Sequence, residues 1–166
     1  MVISNECIEY FRKFNFNNND NYAIYKFNEA DETLRIDDHH PPHNNNDNND
    51  DGEEENDQKQ KKGRKISLEE LVETKLAIDN ECKYCFYKFK YMSETDKIER
   101  SKVVFILWSP PSASRKQKML SAFFAQSFLL QLGASSAISC QLQASSSSSL
   151  LYNDVLDKLF RSLSVK

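Results

Sequence analysis

The sequence predicts an α/β fold: a central mixed β-sheet flanked by helices on both faces. Three observations carry this. Helical and strand patterns alternate in the order α β β α β β α β α, which places a sheet between helical layers. The run "KVVFILW" (102–108) is continuously apolar, as a strand buried on both faces requires. The stretch from Ser112 to Leu132 reads as the longest helix, stopped near Gly133. The chain has 166 residues, enough for one core and too few for two ordinary domains.

The elements follow in order. Ser4 is placed to cap a helix running through Phe14, with Ile8, Phe11 and Phe14 on one side. "NYAIYKF" (21–27) and "TLRID" (33–37) read as strands joined by the polar turn "NEADE". Ser67, with Glu70 three residues on, has the capping-box pattern that opens "SLEELVETK" as a helix. "CKYCFYKFKYM" (82–92) alternates and is rich in aromatics, hence a strand, and "SETDKIERS" is the hairpin leading into "KVVFILW". "AISCQLQA" (137–144) is a further strand, "SSSSS" a loop, and "LYNDVLDKLFRSL" (151–163) a closing amphipathic helix.

One stretch stands apart. Residues 37–65, "DDHHPPHNNNDNNDDGEEENDQKQKKGRK", hold no strong apolar residue. Such a segment cannot bury enough surface to offset its ordering entropy, so an Asn/Asp-rich disordered insertion is expected at about 38–65. His39, His40 and His43 fall inside it, where nothing rigid would hold them around a metal.

The totals exclude several classes. The formal charge is −3, unlike the basic field of a general nucleic-acid binder. The opening "MVISNECIEYFRKF" is polar and amphipathic, not a cleavable signal. Cys7, Cys82, Cys85 and Cys140 therefore read as reduced thiols in a cytoplasmic setting. "CKYC" lies in a strand pattern that puts Cys82 and Cys85 on opposite faces, and no second cysteine pair completes a zinc site. The only glycines are Gly52, Gly63 and Gly133, so there is no glycine-rich phosphate loop. Neither an enzyme nor a cofactor is expected.

The chemistry concentrates in "WSPPSASRKQKM" (108–119). Its helix begins with Arg115, Lys116 and Lys118, cations at the end that carries the positive partial charge. Each costs roughly 0.3–1 kcal/mol there when exposed; on the charges alone this reads either as a functional surface, where local violations are expected, or as a solvated helix end whose lysines keep the chain soluble.

The motifs "ECKYCFYKFKY", "RSKVVFILWSP", "KQKM", "AISCQLQA" and "YNDVLDKLF" occur in an order and spacing that resemble the actin-depolymerising factor/cofilin family. The resemblance covers nearly the whole chain outside the Asn-rich insertion. It implies a single ADF-homology (gelsolin-like) domain over 1–166 that binds actin monomers and filaments and promotes filament severing and depolymerisation. In such proteins the start of the long helix contacts actin, which here falls on Lys116, Lys118 and Met119, with Arg115 beside them. A second, filament-binding patch corresponds to Arg100 and Lys102 together with Asp157, Lys158 and Arg161. Asp157 and Arg161 are four apart on a helix, which also suits an ordinary intrahelical ion pair. Ser4 matches the helix-capping serine and not the regulatory serine of the family's N-terminal tail, a further actin contact. Leu129 and Leu130 stand where relatives often carry a basic pair that contributes to actin and phosphoinositide binding.

No charged residue occurs from Met119 to Asn153. A helix apolar all round must be covered by another surface. An exposed apolar stripe is one outcome, and a membrane anchor through 119–138 is another, of roughly spanning length. Within the fold, a glia maturation factor-like protein that binds the branched-filament nucleating complex, or a coactosin-like binder of filament sides, is the alternative function.

Overall fold

The structure is a computed structural model that describes residues 2–16, 20–28, 33–39 and 66–164. Six strands form one sheet: β1 (Val2–Ile3), β2 (Tyr22–Asn28), β3 (Thr33–His39), β4 (Lys83–Met92), β5 (Glu99–Trp108) and β6 (Ile138–Ala144). Their order across the sheet is β1-β3-β2-β4-β5-β6. The inner pairings are antiparallel, while β1 on β3 and β6 on β5 are parallel. The sheet is therefore mixed, as the sequence predicts.

Side-chain alternation along the strands fills two cores. Val104, Ile106 and Trp108 of β5 face one, and Phe105 and Leu107 face the other. The apolar run thus has no solvent face. Helix α1 (Asn5–Phe16) and helix α3 (Arg115–Gln131) cover the Phe105 side. Helix α2 (Leu68–Leu71), continued by a π-turn (Val72–Leu76), and helix α4 (Tyr152–Ser164) cover the other. Phe128 anchors α3: its ring lies 4.9 Å from that of Tyr84, 5.2 Å from Tyr25 and 5.8 Å from Phe86.

Several boundaries differ from the sequence reading for local reasons. Two-residue β1 is too short to show a period. Strand β3 runs to His39, so the first two residues of the expected insertion are strand; the remainder, with His40 and His43, lies outside the described residues. Ser67 Oγ accepts from the Glu70 amide at 3.1 Å and starts α2 as its capping pattern predicts. The helix then widens after one turn. Thr74 Oγ1 donates to the Glu70 carbonyl at 2.6 Å, occupying an acceptor of the backbone ladder, and the Ala77 amide closes on Val72 instead. The serine run is not a plain loop: Ser147–Leu150 forms a 3₁₀ turn, with Ser146 Oγ 2.8 Å from Ser148 Oγ.

Among the described residues, no helix is long and apolar enough to cross a membrane. The 119–138 segment is cut by Gly133, whose φ of 67° ends the helix before β6 begins.

Candidate functional site

Strand β5 hands the chain to α3 through a fixed corner. The Ser109 amide donates to the Ala144 carbonyl at 2.8 Å, and the Ala113 amide to Pro110 at 3.1 Å. Ser114 then caps the helix, its Oγ accepting from the Gln117 amide at 3.0 Å. Arg115 opens the helix and no acidic residue occupies its first turn, so its cations oppose the helix dipole.

The cations do not act as one group. Arg115 and Lys116 are exposed. Lys118 folds back and donates from Nζ to the Pro111 carbonyl at 2.6 Å, which stabilises the corner from outside the helix. Met119 sits one turn after Arg115 and is exposed. Lys116 and Met119 therefore share the outward face, while Lys118 belongs to the turn as much as to the surface.

The two leucines separate. Leu129 is fully buried beneath α3 with Phe128, and Leu130 is exposed. One residue along a helix turns about 100°, and only Leu129 faces the sheet. A basic side chain at 129 would lie in the core, so the basic-pair position is half structural in this chain.

The second set is built on the β4–β5 hairpin and α4. Strand β2 pairs with β4 only from Lys83 to Tyr87, and β6 pairs with β5 only from Val103. Beyond those points β4 and β5 pair only with each other, Lys102 opposite Phe89 and Arg100 opposite Tyr91. Paired residues share a face, so both cations lie on the α4 side. Arg100 is held by Asp96 at 2.6 Å. Hydrogen bonds from Ser93, Arg100 and the Ile98 amide hold the Asp96 carboxyl down at about 2, below the usual carboxylate value. Lys102 is half-buried and lines a cleft of about 350 Å³ with Lys88, Ser101 and Ser139.

On α4, Asp157, Lys158 and Arg161 are all exposed. The ion pairs found among the described residues do not include one between Asp157 and Arg161, so the simple intrahelical explanation of that spacing does not hold. Two aromatic contacts set α4 against the hairpin. Tyr152 stacks on Phe89 at 4.9 Å, and Phe160 meets Tyr91 edge-on at 5.4 Å. Tyr152 also donates its hydroxyl to the Lys90 carbonyl at 3.2 Å.

Sequence reasoning passed over Met92 and Ile98, exposed apolar residues at the hairpin. The available signal was an isoleucine amid the charges of "SETDKIERS". Ser4 is exposed, and its Oγ accepts from the Cys7 amide at 3.3 Å as a helix cap. The four cysteines are free and buried, and burial pushes the Cys85 thiol far up.

Comparison with known proteins bears on the family and the fold. An actin-depolymerizing factor from Zea mays is 35% identical over 80 residues, which is 48% of this chain and 55% of that protein. A cofilin from Yarrowia lipolytica is 34% identical over 83 residues, 50% of this chain and 52% of the relative. These matches span about half the length of the relatives. A cofilin from Mycosarcoma maydis is 29% identical over 160 residues, covering 96% of this chain and 94% of the relative. Among solved structures, Streptomyces griseoflavus cofilin superposes with a TM-score of 0.67 at 20% identity, covering 96% of this chain and 97% of that one. Human coactosin-like protein superposes with a TM-score of 0.65 at 10% identity, covering 97% and 98%. At those identities the structures report the fold alone. The sequence profile of the cofilin/tropomyosin-type actin-binding proteins matches residues 1–160, and the chain belongs to that family.

Proposed function

We propose that this chain is a cofilin-like, single-domain actin-binding protein that engages monomers and filaments and promotes filament severing and depolymerisation. The observation that carries the reading is the outward display of Lys116 and Met119 on the first turns of a helix whose dipole disfavours cations. An acidic partner surface complements cations displayed in this way. Lys118 and Arg115 flank that contact. Arg100, Lys102, Asp157, Lys158 and Arg161 form the surface for a neighbouring filament subunit, and Ser4 stays a helix cap. Severing follows from preference: a ligand that binds one filament geometry better shifts the filament towards it. Leu130, uncharged where relatives often have a base, favours a second reading, attachment to filament sides without severing, and it weakens any phosphoinositide contact.

Co-sedimentation with filamentous actin tests the assignment. Lys116→Glu is expected to weaken pelleting by about tenfold or more, the scale of an interface hot spot. The double change Arg100→Glu, Lys102→Glu is expected to lower filament binding while sparing monomer binding. Equal pelleting of the Lys116→Glu form and the unsubstituted chain removes Lys116 from the contact. Filament shortening under the microscope separates severing from side-binding.

A further inference from the structure

We infer that the open edge of β4 beside Asn21 is a docking groove for an extended acidic peptide, which it takes by strand addition. The inference is independent of the actin reading and uses no residue of α3.

Strand β2 ends its pairing at Tyr22, opposite Tyr87, while β4 runs on to Met92. Alternate residues of an antiparallel strand turn their amides to opposite neighbours. The Lys88 amide donates to the Asn21 carbonyl at 2.8 Å. The Lys90 amide therefore points the same way, past the end of β2, where no strand pairs with it among the described residues. At the head of this edge stands Asn21, 5% exposed. Its Nδ2 donates to the Ile66 carbonyl at 2.7 Å, which fixes the amide plane. Its Oδ1 is buried and has no hydrogen-bond partner among the described residues. A buried acceptor left unpaired is destabilising, so this one points to a donor that arrives with a ligand. Asn21 and Lys90 line one cleft of about 500 Å³ together with Ile66, Tyr87, Lys88 and Arg100.

The chemistry of the cleft selects its occupant. Asn21 Oδ1 calls for a proton donor. Lys88, Lys90 and Arg100 call for an anion, against a single lining carboxylate, Glu99, among the described residues. A phosphate dianion suits the cations but gives Asn21 no proton, and a metal ion is repelled. A main chain with acidic side chains supplies N–H and carboxylate together. Its alternation fits as well: Lys88 and Lys90 lie on one face of β4, and Tyr87 lies on the other, bonded to Ile66. A strand with carboxylates on one side and apolar residues on the other meets both faces, with main-chain bonds to the Lys90 amide and Asn21 Oδ1. A second copy of this edge fits poorly, because a two-fold pairing sets lysines against lysines.

The test uses the full chain, without actin, and a fluorescent peptide of alternating valine and glutamate. Fluorescence anisotropy is expected to show saturable binding, and hydrogen exchange is expected to show the Lys90 amide protected when the peptide is present. The same peptide with lysine in place of glutamate is expected to bind at least about tenfold more weakly. So is the acidic peptide with alternate backbone amides methylated, which keeps the charge and removes the main-chain donors. Lys90→Glu alters an exposed side chain, so circular dichroism is expected to be unchanged while the acidic peptide is bound at least about tenfold more weakly. No binding of the acidic peptide overturns the inference, and so does equal binding of its methylated form, which would reduce the groove to a patch of charge. Undiminished binding by Lys90→Glu overturns the location. Protection of the Lys90 amide that grows with protein concentration in the absence of peptide overturns it in favour of self-association.

Discussion

Lys83 shows how much one side chain can carry. It is fully buried on β4, where its position in the alternation places it among core residues. Its Nζ donates to the Lys75 carbonyl at 2.8 Å and pairs with Asp79 at 2.9 Å and Asp37 at 3.5 Å. It thereby joins the end of the π-turn, the following loop and β3. Both carboxylates keep about a third of their exposure and can rehydrate if the cation is lost, whereas the Lys75 carbonyl loses this donor. Lys83→Met, which keeps the aliphatic volume, is expected to cost about 1–3 kcal/mol in urea unfolding. A change within error would mean that the pairing only breaks even. A lysine facing the core could be read from the sequence. Its partners could not, since Asp37 lies far away in the chain and only the fold brings it near.

At the scale of elements, α3 is where sequence and structure both agree and part. Its stop was legible because Gly133 carries cap chemistry, whereas its start, expected at Ser112, falls at Arg115 behind the Ser114 cap. Which of two adjacent leucines faces inward was not. In a helix with apolar residues on every side the pattern has no phase, and burial is decided by the ring cluster around Phe128. Tyr84 fixes that phase further by donating its hydroxyl to the Ser121 carbonyl at 2.7 Å. Tyr84→Phe keeps the stacking and deletes the pin. It is expected to lower stability by about 0.5–1.5 kcal/mol by thermal or denaturant melts. The serine turn and the π-turn were illegible for a related reason: both depend on side-chain hydroxyls bonding locally, which leaves no periodic trace.

For the whole molecule, a mixed sheet between helical layers followed from the alternation of helical and strand patterns, the order of strands across it did not, and the proposed division of function between α3 and the hairpin with α4 needed the resemblance to a family. The two cores share one property that can be measured. Tyr25, Tyr84 and Tyr87 are buried phenols whose hydroxyls donate to the carbonyls of Cys7, Ser121 and Ile66. Burial is the main cause that raises all three, and it pushes Tyr87 up to about 12. An unfolded phenol ionises near 10. Stability is therefore intact below about pH 10 and falls as the pH rises from there through about 12. In an alkaline titration the phenolate absorbance of these three residues is expected to emerge together with loss of the circular dichroism signal. Ionisation well before unfolding would show that the cores admit solvent.

The aromatic brace between α4 and the hairpin carries a mechanical consequence. Arg100 and Lys102 ride on one arm and Lys158 and Arg161 on the other. Phe89, Tyr91, Tyr152 and Phe160 fasten the arms like the jaws of a caliper locked at one gauge. On the filament-binding reading proposed above, a surface whose repeat matches that opening is held at no further ordering cost, and one that has stretched or rotated away from it is left ungripped.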